Sequence, residues 1–204
     1  SIYIDSNKFN EIKNIRKNIE ANTSLLSIRM DAYDMIMNPC SIRDDMVISI
    51  DIYKKVEKVY KCLYAKRTEK NIEIQMKGHT EQSYRLSNTI ELAFFIIIDN
   101  AIKYAPNDDN IVIEFLDCST YLEVTFTNWG IRPLDGEMTH IKERGFRSKN
   151  VLTETNIDGS GLGLYLLQQI CDSNNVNLNI HIGNGSKNVK GIGYAPFVVK
   201  LTFR

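Results

Sequence analysis

From about residue 8 to residue 37, apolar side chains recur every three or four positions. Ile12, Ile15, Ile19, Leu26, Tyr33 and Ile36 form one seam, interrupted by Asn22 and Arg29, and Leu25, Ile28, Ala32 and Met35 add a second stripe. That spacing predicts one long helix. Two stripes on a single helix need a bundle or a partner chain to cover them. The polar seam positions weaken a plain coiled coil while helping to fix register. The helix is expected to stop at "NPC" (38–40), because Pro39 disfavours helical geometry in the residue before it.

Beyond this point the pattern alternates. "VISI" (47–50) reads as a short strand. "IYKKVEKVYKCLYAKR" has Ile52, Val56, Val59, Tyr60 and Leu63 at helical spacing with lysines opposite. "NIEIQMK" interleaves Ile72, Ile74 and Met76 with polar residues, a half-buried strand. Residues 87–106 read as a helix ended by Pro106, with Ser87 or Asn88 as N-cap. "IVIEFL" and "YLEVTFT" flank "DCST" as a hairpin, the second strand stopping at Asn128 and Gly130 opening a turn. Residues 128 to about 158 carry no periodicity, over a length that marks a functional or mobile segment. A helix from about 160 to 173 and two closing strands, "LNIHI" and "FVVKLTFR", complete the chain. The order predicts an α+β fold: a two-layer sandwich with a mixed sheet and helices on one face, preceded by the long helix.

Composition narrows the function. Of 204 residues, 43% are hydrophobic and 25% charged, with formal net charge zero, so no basic field points to nucleic acid. No apolar run approaches the roughly 20 residues of a membrane span, and no signal peptide is read. The chain begins with Ser1 rather than Met, which suggests a fragment. Cys40, Cys62, Cys118 and Cys171 are widely spaced without a CxxC, which argues against zinc or a disulfide framework and suits a reducing compartment. His79, His140 and His181 are scattered and read as solvated residues.

The candidate chemistry starts at "DGSGLGLYLLQQI" (158–170), where Gly159, Gly161 and Gly163 run directly into an apolar helix. Closely spaced glycines permit positive φ and close backbone approach, and a helix N-terminus favours an anion such as phosphate. The stretch is neither a dinucleotide fingerprint, whose third glycine position is Leu164, nor a Walker loop, which needs Gly-Lys-Ser/Thr. Two further places join it. In "IIIDNAIKYAP", Asn100 lies in a very apolar helix with Lys103 and Tyr104 one turn on, suited to a metal, a phosphate and a flat ring respectively. In "TFTNWGIRPL", Asn128 and Gly130 end a strand.

In this order and spacing, residues 45–204 resemble the ATP-binding domain of sensor histidine kinases, within the GHKL (Bergerat-fold) ATPase group of DNA gyrase, mismatch-repair proteins and a heat-shock chaperone. "DNAIKYAP" resembles the N box, "TNWG" a degenerate G1 box, "IKERGFRS" (141–148) the F box and "GSGLGLYLLQQI" the G2 box. The 8–37 helix resembles the second helix of the kinases' dimerisation hairpin, which divides the chain into residues 1–40 and a catalytic domain over 41–204. The resemblance implies ATP and Mg²⁺ as ligands. Asn100 then corresponds to the Mg²⁺-coordinating amide, Lys103 to a phosphate neighbour and Tyr104 to a ring beside the nucleotide. Asn128 stands where most relatives have the Asp that accepts from the adenine amino group. Gly130 lets the backbone pass the base, Arg144 and Arg147 offer cations to the γ-phosphate, and Gly159, Gly161, Leu162 and Gly163 supply backbone N–H groups.

Three positions depart from that pattern: Arg132 replaces the second G1 glycine, Lys142 the usual F-box aromatic, and Ile96 the polar residue one turn before Asn100. The resemblance implies γ-phosphoryl transfer from ATP to a histidine outside this fragment, in a cytoplasmic homodimer that signals to a response regulator. It implies no nucleic acid, and a membrane only through a missing N-terminal region. The other readings are an anti-sigma-type serine kinase, against which the long helix counts, and a nucleotide-sensing module without catalysis, which Ile96 keeps open.

Overall fold

The computed structural model describes residues 46–154, 157 and 159–204, together with scattered positions between 8 and 30. Those scattered positions are helical, and Ile12, Ile15, Ile19 and Leu26 of the predicted seam are exposed. The remaining seam residues, the stop at Pro39 and the division at residue 40 lie outside the described residues.

Strand β1 (Val47–Asp51) leads directly into helix α1 (Ile52–Cys62), whose first turn is capped by the Asp51 carboxylate accepting from the Lys54 N–H at 3.0 Å. Ile52, Val56 and Val59 form its buried stripe. The predicted single helix breaks at Leu63, and α2 (Tyr64–Glu69) follows as a short turn with no buried residue. Strands β2 (Glu73–Lys77) and β3 (Ser83–Ser87) precede the central helix α3 (Ile90–Tyr104). The hairpin β4 (Asn110–Cys118) and β5 (Tyr121–Ile131) comes next, then a 3-10 turn (Glu137–Thr139) and the short helix α4 (Lys149–Glu154). Helix α5 (Gly163–Ser173) and strands β6 (Asn177–Ile182), β7 (Lys187–Val189) and β8 (Ile192–Phe203) close the chain.

The main sheet has the order β2-β4-β5-β8-β6, with β7 added on β8; β2 and β4 are parallel and all other pairs antiparallel. A separate two-stranded sheet pairs β1 with β3. Helix α3 packs against α1, α5 and β5, so nearly every side chain from Ile90 to Ile98 is buried. That placement explains its continuous apolar run, since a helix enclosed on all sides has no polar face to show. Phe94, Phe126 and Phe203 are fully buried where this helix meets the sheet, each worth about 1.5–3 kcal/mol of burial. Among the described residues no helix is long and apolar enough to cross a membrane.

The α+β sandwich stands as expected, but three boundaries move for physical reasons. Neither Ser87 nor Asn88 caps α3: Ser87 is the last residue of β3, opposite Val47, and Thr89 occupies the cap, its hydroxyl bonded to Ser87 and Asn174 and not to the helix N–H groups. Strand β5 does not stop at Asn128, because β8 holds it in the ladder through Gly130↔Ala195 and Ile131↔Tyr194. Gly130 therefore opens no turn; a Cβ there would stand 3.2 Å from the Phe197 Cβ, so its smallness serves a close strand contact. Helix α5 begins at Gly163 rather than near 160, since Gly161 has φ +70° and lies outside helical geometry.

Candidate nucleotide site

Three elements converge on one cavity of about 280 Å³, at the small end of ligand pockets of roughly 300–1,000 Å³. The first is the C-terminal half of α3. Its end is fixed by Lys70, whose ammonium donates to the carbonyls of Ile102 (2.9 Å), Lys103 (3.1 Å) and Ala105. Burial, followed by the nearby Lys66, holds the Lys70 pKa below its ordinary value. Lys66 in turn pairs with Asp99. With the helix end anchored, Asn100, Lys103 and Tyr104 all line the cavity.

The second element is the glycine turn. A Cβ on Gly163 would lie 3.4 Å from both Asn100 Nδ2 and Ile96 Cγ2, so α5 begins directly against the Asn100 amide. No side chain caps α5, which leaves its first N–H groups available toward an anion. A Cβ on Gly159 would fall 2.7 Å from Lys103 Nζ, 3.7 Å from the Tyr104 hydroxyl and 3.9 Å from Arg147 Nε. The turn thus meets two cations and a phenol. Burial raises the Tyr104 pKa, with Arg147 opposing and Asp99 adding to the shift, so its hydroxyl stays protonated.

The third element is the sheet. Burial alternates along β5, placing Leu122, Val124, Phe126, Asn128 and Gly130 on the core side. Asn128 is only 6% exposed and sits beside Phe126, Phe197 and Val199 on the cavity wall. That wall is apolar and suited to a flat ring.

Over these elements lie residues 132–154, 157 and 159–162, organised by polar contacts with Val151 and Ile157 as apolar anchors. Glu137 accepts from the Leu134 N–H (2.8 Å), the Ser148 hydroxyl (2.6 Å) and the Lys149 N–H (2.9 Å). Burial works against ionisation of Glu137, but these hydrogen bonds outweigh it and its pKa is lowered. The segment is tied to the glycine turn by Gly145 N–H donating to the Gly161 carbonyl (3.1 Å), and to α5 by Lys142 donating to Gln168 (2.9 Å). Val151 of this segment joins Ile131 and Tyr194 in a small second core.

Of the expected site residues, Asn100, Lys103, Tyr104, Asn128, Gly130, Arg147, Gly159, Gly161 and Gly163 all line this cavity. Leu162 is the cap residue of α5 and does not line it. Arg144 is exposed and also lies outside the lining. Ile97, Phe126, Phe146, Ser148, Ser160 and Phe197 line it without having been singled out. Alternation backward from Asn128 would have found Phe126, helical spacing backward from Asn100 would have found Ile97, and Ser160 lies between two of the expected glycines; Phe197 comes from a strand brought from elsewhere.

The residues fit a nucleotide. Arg147 donates to the Ile157 carbonyl, yet its Nε is buried with no partner, as an absent anion would leave it. Gly159 and Gly161 stand where side chains would collide with Lys103 and with the backbone of Gly145 and Phe146.

The chain belongs to the histidine kinase-, DNA gyrase B- and HSP90-like ATPase family, whose sequence profile matches residues 86–202. Within that family it is similar to several histidine kinases. It is 24% identical over 117 residues to the histidine protein kinase SaeS of Staphylococcus aureus strain USA300, covering 56% of this chain and 33% of that protein. The chain therefore spans about a third of the length of the curated relatives it matches. Among solved structures, the mycobacterial sensor histidine kinase MprB superposes with a TM-score of 0.58 at 17% identity, covering 78% of this chain and 97% of that one. Full-length ShkA in complex with AMPPNP superposes with a TM-score of 0.59 at 15% identity, covering 98% of this chain and 40% of that one.

Proposed function

We propose that this chain is the ATP-binding catalytic region of a two-component sensor histidine kinase, transferring the γ-phosphoryl of ATP to a histidine supplied from outside the cavity. The observation that carries this reading is the division of one cavity into an apolar wall with the Asn128 amide and a cationic end built from Lys103, Arg147 and the glycine turn. Such a site works by holding the phosphates in place and balancing their charge. Lys103 and Arg147 neutralise, the N–H groups at the start of α5 orient, and the buried wall fixes the base. Asn100 would hold Mg²⁺ through its neutral amide oxygen, and the ion would supply positive charge to the phosphates.

A homodimer through the 8–37 helix, a response regulator as phosphate acceptor and a cytoplasmic location belong to the same proposal. A second reading, nucleotide sensing without catalysis, is favoured by Ile96. This buried side chain lies against Gly163 beside Asn100 and offers no general base.

Calorimetry with ATP, with and without Mg²⁺, tests the site. Binding should depend on Mg²⁺, and Asn100→Ala should remove that dependence and weaken affinity by about tenfold, the worth of one metal-ligand or hydrogen-bonding group. No adenine-nucleotide binding at millimolar levels overturns both readings. Binding without phosphoryl transfer, in a chain supplied with a hairpin histidine, selects the sensing module.

A further inference from the structure

Helix α5 meets the cavity with its N-terminus, while hydrogen bonds fix its far end. It stops in a left-handed turn at Asn175, where φ is +53°. The Asn175 N–H donates to the Asp172 carbonyl (3.3 Å) and the Val176 N–H to the Cys171 carbonyl (2.9 Å), the bonds that close a helix around a left-handed residue. This termination makes Asn174 the C-cap residue, 9% exposed. Its Oδ1 accepts from the Ser87 N–H at 2.7 Å, and its Nδ2 donates to the Ile170 carbonyl at 2.9 Å and to the Thr89 hydroxyl at 3.3 Å. Ser87 and Thr89 are buried, their hydroxyls bonded to each other at 2.7 Å. The C-cap of α5 is thus bonded to the N-cap of α3.

At their other ends the same two helices meet where a Cβ on Gly163 would lie 3.4 Å from Asn100 Nδ2. Thr89 and Asn100 are 11 positions apart, as are Gly163 and Asn174. The antiparallel helices therefore run equal lengths between the two contacts, about 16 Å each. Leu166, Leu167, Ile170 and Cys171 give α5 its buried face, and apolar burial is non-directional. Hydrogen bonds are directional and tolerate little displacement. The Asn174 bonds accordingly set how far along α3 the helix sits.

Resting on the nucleotide reading above, we infer that Asn174 is a positioning residue for the phosphate end of the site, holding α5 in the axial register that sets its first N–H groups and the glycine turn against the Asn100 amide. It touches no phosphate; its effect arrives through α5. The base wall stands on β5 and β8 and takes no part in these bonds.

Asn174→Ala tests the inference, with Ser173→Ala as the control, because the Ser173 hydroxyl donates to the same Ile170 carbonyl within α5 at 2.9 Å. Calorimetry with Mg²⁺ and ATP reads the phosphate end, and a nuclear magnetic resonance titration with adenosine reads the base wall. Asn174→Ala should weaken ATP by about tenfold or more, as misplaced N–H groups lose charge-assisted bonds to phosphate. It should leave adenosine within about twofold, and Ser173→Ala should leave both ligands within about twofold. A lower melting temperature in Asn174→Ala with an unchanged ratio of ATP to adenosine affinity makes the residue purely structural and overturns the inference. An equal ATP-selective loss in Ser173→Ala overturns it as well. If Asn174→Ala does not fold, Thr89→Val, which keeps the shape and removes the hydroxyl, takes its place: an ATP-selective loss of about threefold or more supports the inference, and an unchanged ratio overturns it. Each of these failures leaves the nucleotide reading standing. A wild-type chain that binds neither ATP nor adenosine overturns that reading and the inference together.

Discussion

Replacing Gly161 by alanine probes how the glycine turn holds the covering segment. Gly161 has φ +70°, and a Cβ there would fall 2.5 Å from the Gly145 carbonyl carbon and 2.6 Å from both the Gly145 and Phe146 oxygens. These are backbone atoms, so no change of rotamer relieves the overlap. The left-handed conformation costs an L-residue about 1–2 kcal/mol. The clash also drives the 145–146 backbone away and breaks the 3.1 Å bond from the Gly145 N–H to the Gly161 carbonyl, worth about 1 kcal/mol. Together these come to about 2–3 kcal/mol, or roughly 30- to 150-fold in an equilibrium constant. The loss falls on the segment that carries Arg147 to the cavity, not on the Phe94–Phe126 core, so ATP affinity should drop by that factor while the melting temperature changes little. Gly145→Ala is the control: φ is +81° but nothing lies within 4 Å. It incurs only the conformational cost, about tenfold. Calorimetry and hydrogen exchange over residues 141–148 read both variants. Wild-type ATP affinity in Gly161→Ala, with unchanged protection at Gly145 and Phe146, would refute the coupling.

Gly159→Ala should behave differently, because the one overlap of its Cβ is with the flexible end of Lys103, at 2.7 Å. Stability by urea unfolding should stay within about 0.5 kcal/mol, while ATP affinity falls by roughly tenfold as the ammonium is displaced; a loss of fold with intact affinity would contradict this. Glu91, buried on α3, accepts from Lys55 and Lys58 of α1 at 2.6 Å each. Its burial opposes ionisation, but the two lysines prevail and lower its pKa from the ordinary 4.5. The folded value being depressed, its stabilisation is complete above that ordinary value and is lost as pH falls through the lower folded one. Glu91→Gln should cost about 2 kcal/mol at neutral pH and flatten the acid limb of stability, as urea titrations from about pH 6 to 3 would show; an unchanged acid limb would exclude the pair as its source.

Local pattern determined a good deal of this molecule. Alternation marked the β4–β5 hairpin, helical spacing marked α1, and the run ended by Pro106 marked α3. The residue types of Asn100, Lys103, Tyr104 and the glycines marked a phosphate-binding chemistry before any contact was known. These features are legible because each depends on neighbours within one or two turns. Strand β3 escaped notice: five mostly polar residues take their strand geometry from β1, some 35 positions earlier in the chain. The continuation of β5 through Asn128 and Gly130 was decided by β8, and with it the burial of the Asn128 amide. The covering segment carries no period because Glu137, the Gly145–Gly161 bond and the isolated apolar anchor Val151 hold it, not a repeating apolar face. The same segment brings Arg147 to the cavity and leaves Arg144 outside it. Periodicity records which face of an element is buried; which distant backbone pairs with it, and which polar atom then lacks a partner, is settled only when the chain folds back on itself.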